Sequence, residues 1–90
     1  MKRVHVFIEG YVQGVFFRHN TQLNALKHNV RGWIRNLPDG RVEAVFEGDY
    51  TAIDKMIEFC RKGPPAATVK NVEVKQEEWK GEFKDFRILL

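Results

Sequence analysis

A single cysteine, Cys60, is all the thiol chemistry that the 90-residue chain offers. It cannot close an internal disulfide, and there is no Cys-x-x-Cys pair to hold a metal or exchange electrons, which points to a reducing compartment. Nor does any apolar run approach the roughly 20 residues needed to cross a bilayer. The opening MKRVHVFIEG alternates apolar with polar residues where a secretory leader has an unbroken apolar stretch, so a cytoplasmic protein with no membrane partner is expected. His5, His19 and His28 share no ligand spacing and no carboxylate cluster accompanies them, which leaves no signature for a metal or another cofactor. Linkers, internal repeats and low-complexity tracts are also missing. With 43% hydrophobic and 30% charged residues the composition is that of a well-packed globule, and the length suits one domain over residues 1–90.

The net charge of +3 is small but unevenly placed. Between Gly10 and Arg41 the basic residues Arg18, Lys27, Arg31, Arg35 and Arg41 stand against Asp39 alone, a local net of +4. Such a field favours a small anionic ligand, whereas a nucleic-acid binder more often spreads basic residues along a whole face.

Periodicity sets the order of elements. Arg3 to Glu9 alternates with Val4, Val6 and Ile8 on one side, the pattern of a half-buried strand. Leu23, Leu26 and Val30 predict a helical stripe from about Arg18 to Asn29. A strand from about Arg31 to Asn36, the turn chemistry of Leu37 to Gly40, and an alternating run from Arg41 to Glu47 read as a hairpin. The second helix carries Ile53, Met56, Ile57 and Cys60 on one face, with Asp49 or Thr51 as its cap and Gly63-Pro64-Pro65 as its stop. A β region from about Thr68 to Glu78 follows, and Phe83 to Leu90 offers a fifth, edge strand. Two single-stripe helices can cover only one face of a four-stranded antiparallel sheet, so the βαββαβ order predicts an α+β, ferredoxin-like sandwich.

Two segments carry chemistry. In Gly10 to Arg18, GYVQGVFFR, glycines bracket a turn that delivers an arginine onto a helix start. Glycines let backbone N–H groups converge, the helix N-terminus adds partial positive charge, and a guanidinium matches two phosphate oxygens: together, an anion cradle. In Gly32 to Gly40, GWIRNLPDG, the amide of Asn36 ends a strand. Taken singly, the loop is compatible with a turn and a salt-bridging arginine, and Asn36 with a turn residue satisfying its own backbone.

Together the segments resemble the acylphosphatase family, whose motifs read GxVQGVxFR and GWxxN. The likeness extends to the Pro38-Asp39-Gly40 hairpin, the Gly-Pro-Pro break after the second helix and the Phe86-Arg87-Ile88 ending. The resemblance implies hydrolysis of small acyl phosphates to carboxylate and inorganic phosphate, the latter both product and inhibitor. Arg18 would bind the phosphate with the backbone N–H groups of Gln13, Gly14, Val15, Phe16 and Phe17, and Asn36 would hold the attacking water. Tyr11 replaces a frequently basic residue, and Phe16 fills a slot that is often Gly or Cys. A carboxylate leaves without needing a proton, so no general acid is required; the substrate's own phosphate would take the proton of the water. A metal-free, monomeric enzyme is the expectation.

Rival readings are an RNA-recognition module of the same topology and a non-catalytic regulatory domain. Against the first, the third strand would expose Arg41, Glu43, Val45 and Glu47 on its open face, and two carboxylates there would repel a phosphate backbone. Against the second stand Arg18 and Asn36, while a place inside a larger carbamoyl-transfer maturation protein fits poorly with a chain ending at Leu90. The remaining singular residues read structurally: Trp33 as packing, Cys60 as core, the histidines as surface or strand residues, and the Glu77 to Glu82 run as a solvated connection.

Overall fold

Alternation of branched apolar residues with polar ones builds the centre of a five-stranded sheet. The computed structural model describes residues 1–90. The elements are β1 (Lys2–Tyr11), α1 (Phe17–Lys27), β2 (Arg31–Asn36), β3 (Val42–Gly48), α2 (Tyr50–Lys62), β4 (Thr68–Glu77) and β5 (Phe86–Ile88). The strand order is β4-β1-β3-β2-β5. β1 runs antiparallel to β3 and β4, and β2 antiparallel to β3, giving the ferredoxin-like core; β5 adds an edge parallel to β2, so the sheet is mixed. β4 and β5 form opposite edges, and the segment between them crosses the sheet, with Lys80 and Gly81 bonded to Glu47 of β3, before Phe86 enters beside Gly32.

Val4, Val6 and Ile8 of β1, with Val42, Ala44 and Phe46 of β3, pack against Ile53, Met56 and Cys60 of α2 and Phe17 and Ala25 of α1. Burial pushes the Cys60 thiol up to about 12, which keeps it an inert core group. The stripe expected on α1 has the wrong phase. Leu23 and Leu26 are 50% and 64% exposed, while Phe17, Thr21 and Ala25 turn inward. Small inward residues let the helix lie close to the sheet, and the Thr21 hydroxyl is satisfied by donating to Phe17 O at 2.7 Å. Val30 is buried, but beyond the helix. Asp49 occupies the N-cap of α2 without a side-chain hydrogen bond.

The face away from the helices corrects a second expectation. Glu43 and Glu47 are only 6% and 4% exposed, because an ionic layer covers them. Arg3 donates to Glu47 (3.2 Å), Glu77 (2.8 Å) and Glu82, and Glu47 also accepts the backbone N–H groups of Lys80 and Gly81. The Glu77 to Glu82 run is solvent-exposed, as a solvated connection should be, and it is also a strap tied down to the sheet by these bonds. His5, read as an ordinary strand residue, bridges Glu43 (2.7 Å) and Glu77 (3.2 Å) and stacks on Phe7. Arg35 completes the layer on Glu43 and lies over Trp33.

Burial would raise the Glu43 carboxyl, yet hydrogen bonds from Arg35 and His5 outweigh it and hold Glu43 below its ordinary 4.5. The hydrogen bond from Arg3 is the main reason Glu77 is also depressed. Carboxylates with lowered folded pKa values contribute fully above their unfolded value and lose that contribution as pH falls through the folded one. Thermal unfolding should therefore be level from neutrality down to about pH 5 and decline below about pH 4, with a shallower decline in Glu43→Gln. A loss beginning near pH 6 would assign the acid limb to other groups. Arg3→Met leaves Glu47 buried without its guanidinium and should cost roughly 3 kcal/mol in urea unfolding.

Candidate active site

The cradle begins where β1 leaves the sheet. Its register against β4 shifts between Glu9 and Gly10, and a Cβ on Gly10 would lie 2.2 Å from Thr68 O at a φ of +138°, so only glycine lets the strands pass there. Val12, Val15 and Phe17 then point into the core, which pins the loop, while Gly14 and Phe16 face out. Two left-handed residues shape the turn: Gly14 at φ +73°, and Phe16 at φ +64°, ψ 22° at the N-cap of α1. For phenylalanine that conformation costs about 1–2 kcal/mol, which explains in physical terms why glycine suits the slot.

The result is a row of donors. No backbone N–H from Gln13 to His19 has an acceptor in the protein; the first to find one is Asn20, bonded to Phe16 O at 3.1 Å. Arg18, in the first turn of α1, borders the same cavity as Gly14 and Phe16; it is half-buried and without a carboxylate, whereas Arg35 and Arg41 are tied to Glu43 and Asp39. Free N–H groups at a helix start beside an unpaired guanidinium form an electropositive, hydrogen-bonding surface matched to a tetrahedral oxyanion.

Asn36 is the last residue of β2, opposite Val42. Its Oδ1 is buried and has no hydrogen-bond partner. The turn it leads into is joined to the cradle by one side chain: Gln13 Nε2 donates to Leu37 O at 2.8 Å and to Arg41 O at 2.9 Å. Gly14, Phe16, Phe17 and Arg18 border a common cavity of about 410 Å³, with Val12, His19, Ile88 and Leu90 completing it. Gln13, Val15 and Asn36 lie outside that lining. Val15 contributes only backbone, and Gln13 couples the cradle to the Asn36 turn.

Two parts of this arrangement went unread in the sequence. Gln13 was taken for its N–H alone, although a long amide between Val12 and Gly14 was the available sign of a cross-loop brace. The C-terminal residues were read as an edge strand, and only the parallel pairing of Ile34 with Ile88 shows that they reach the cavity.

Comparison with known proteins agrees with this geometry. The Acylphosphatase family profile matches residues 4–88. An acylphosphatase of Pyrobaculum arsenaticum is 59% identical over 90 residues, spanning 99% of this chain and 95% of its own. One of Syntrophus aciditrophicus is 56% identical over 89 residues, spanning 99% and 93%. The crystal structure of an acylphosphatase from Bacillus subtilis superposes over the whole of both chains with a TM-score of 0.95 at 32% identity. A donor row that includes Arg18, an asparagine closing the neighbouring hairpin strand and a family match spanning residues 4–88 together place this chain in the acylphosphatase family.

Proposed function

We propose that the chain hydrolyses the carboxyl–phosphate bond of small, diffusible acyl phosphates, acting as a monomer. The observation that carries this reading is the unbroken row of unpaired N–H donors from Gln13 to His19 beside an unpaired Arg18. Phosphoryl oxygens accept from the N–H groups of Gln13 to Phe17 and from both arms of the Arg18 guanidinium, which holds the group as its charge redistributes. A water molecule is held by the side-chain amide of Asn36, at the end of β2 and beside the turn that Gln13 braces. The water oxygen bonds to phosphorus in line with the departing acyl oxygen, and the P–O bond breaks with its electron pair leaving on the carboxylate. The proton of the water passes to a phosphoryl oxygen, so the products are a carboxylate and inorganic phosphate, and no protein acid is consumed. A regulatory phosphate-binding domain would need the cradle but has no use for a second amide, Asn36, in a turn braced to it by Gln13. Nucleic acid is a poor fit, since the open-face rings of Phe7 and Trp33 already carry Arg41, Lys75 and Arg35 over them.

Arg18→Ala should weaken acetyl phosphate turnover and competitive phosphate inhibition together, and Arg18→Lys should rescue little, because a point charge cannot reproduce the fork. Asn36→Ala should lower kcat on the order of a hundredfold while KM and the phosphate inhibition constant stay nearly constant. Steady-state kinetics with EDTA present throughout, alongside circular dichroism of each variant, separates these outcomes. Full activity in Asn36→Ala, or wild-type activity abolished by the chelator, would sink the asparagine-held water mechanism. Gln13→Ala should act at a distance from the phosphate: kcat falls roughly tenfold with phosphate inhibition largely retained, because the cradle and the Asn36 turn lose their common brace.

A further inference from the structure

The cavity beside Arg18 has two unlike walls. One is the cradle, with Gly14, the helix start and the guanidinium; the other is apolar, made of Val12, Phe16, Ile88 and Leu90. We propose that this apolar wall is the acyl subsite, and that it selects acyl phosphates whose acyl group is short, uncharged and apolar over those that carry a second anion. The inference rests on the hydrolase reading above and adds the substrate class.

Continuity places the acyl group there. Arg18 borders the cavity, so a phosphoryl group on its fork leaves the substituent on the anhydride oxygen facing the rest of the same cavity. The opposite wall comes from β5, whose Ile88 lies beside Ile34 in parallel register, and Leu89 donates to Ile34 O, which carries the chain on toward the Asn36 end of β2. The wall therefore runs along the cradle and not across the molecule from it. Phe16 contributes because its left-handed backbone throws the ring outward, 74% exposed, at the cavity edge.

Chemistry sets the preference. Once Arg18 is committed to the phosphoryl group, the lining holds no lysine, no second arginine and no acidic side chain; its one other titratable side chain is His19, which is exposed. An alkyl or aryl group entering would exchange water for branched apolar contacts, whereas a second carboxylate or phosphate would lose water without a fixed partner. The cavity, about 410 Å³, has room for a few carbon atoms beyond the carbonyl.

The test compares kcat/KM for acetyl, butyryl, benzoyl and succinyl phosphate, butyryl and succinyl being close in length and different in charge. From acetyl to butyryl the wild-type value should rise roughly two- to fourfold per methylene, and butyryl should exceed succinyl on the order of tenfold. Ile88→Thr should compress the butyryl-to-acetyl ratio; Leu90→Ser, at a fully exposed position that cannot disturb the core, should compress it too. Equal use of butyryl and succinyl phosphate with normal acetyl phosphate turnover would overturn the apolar subsite and leave the hydrolase reading standing. A preference for succinyl phosphate that disappears in His19→Ala would overturn it in favour of an anion-reading mouth. A butyryl preference unmoved by both variants would remove the wall from its assigned role, and no turnover of any acyl phosphate would overturn the hydrolase reading itself.

Discussion

One side-chain amide holds the two halves of the site in a single frame. Gln13 Nε2 bonds the carbonyls of Leu37 and Arg41, and those carbonyls also accept from Gly40 and Leu37 N–H groups that close the turn. Both lone pairs of each oxygen are thereby used, so the turn has no spare acceptor with which to settle elsewhere. The cradle comes from the crossover between β1 and α1, while Asn36 comes from the β2–β3 hairpin. Without a brace the spacing between the cradle and Asn36, the proposed phosphate and water sites, would depend on two loops moving independently, and in-line attack is sensitive to displacements of about 1 Å.

The cradle itself is made rigid from below. Val12, Val15 and Phe17 are buried in the core beneath a loop whose outward N–H groups bond to nothing in the protein. Unpaired donors ordinarily invite a loop to rearrange; here three apolar anchors spaced along it prevent that, and the left-handed residues Gly14 and Phe16 shape the turn. Phe16 tolerates its backbone strain because the residues on either side are fixed by packing. The same strain sends its ring to the cavity edge, so one unfavourable dihedral pair shapes both the proposed anion cradle and the proposed apolar wall.

Most of the fold was legible because period-two runs such as Val4-x-Val6-x-Ile8 and the strong stripe of α2 leave little alternative. α1 misled for the opposite reason: its inward residues after Phe17 are Thr21 and Ala25, whose small size lets the helix approach the sheet but gives no apolar signal, while its exposed leucines do. The cradle and Asn36 were legible as motifs, because glycines and a lone arginine at a helix start have local meaning. The Gln13 brace and the Ile88 wall were not, since each depends on which distant segment lies alongside, and no local pattern encodes that. Glu43 and Glu47 failed as exposed carboxylates for the same reason: alternation gives the face a residue points to, not what Arg3, His5 and the Glu77 to Glu82 strap place over it.

That ionic layer also changes the meaning of the local charge. The stretch from Gly10 to Arg41 has a net charge of +4, which suggests a broad positive field, yet Arg35 is held by Glu43 and Arg41 by Asp39. Arg31 leans toward Phe83 O, and Lys27 sits in the last turn of α1, where it faces the negative end of the helix dipole. Beside the cradle, Arg18 is left as the guanidinium without a partner. Unneutralised charge is therefore concentrated at the proposed phosphoryl position, and a polyanion with charges spaced over the surface meets neutralised pairs instead of a continuous basic track. The proposed preference for a small phosphorylated anion would follow from pairing the neighbouring arginines as much as from leaving one of them free.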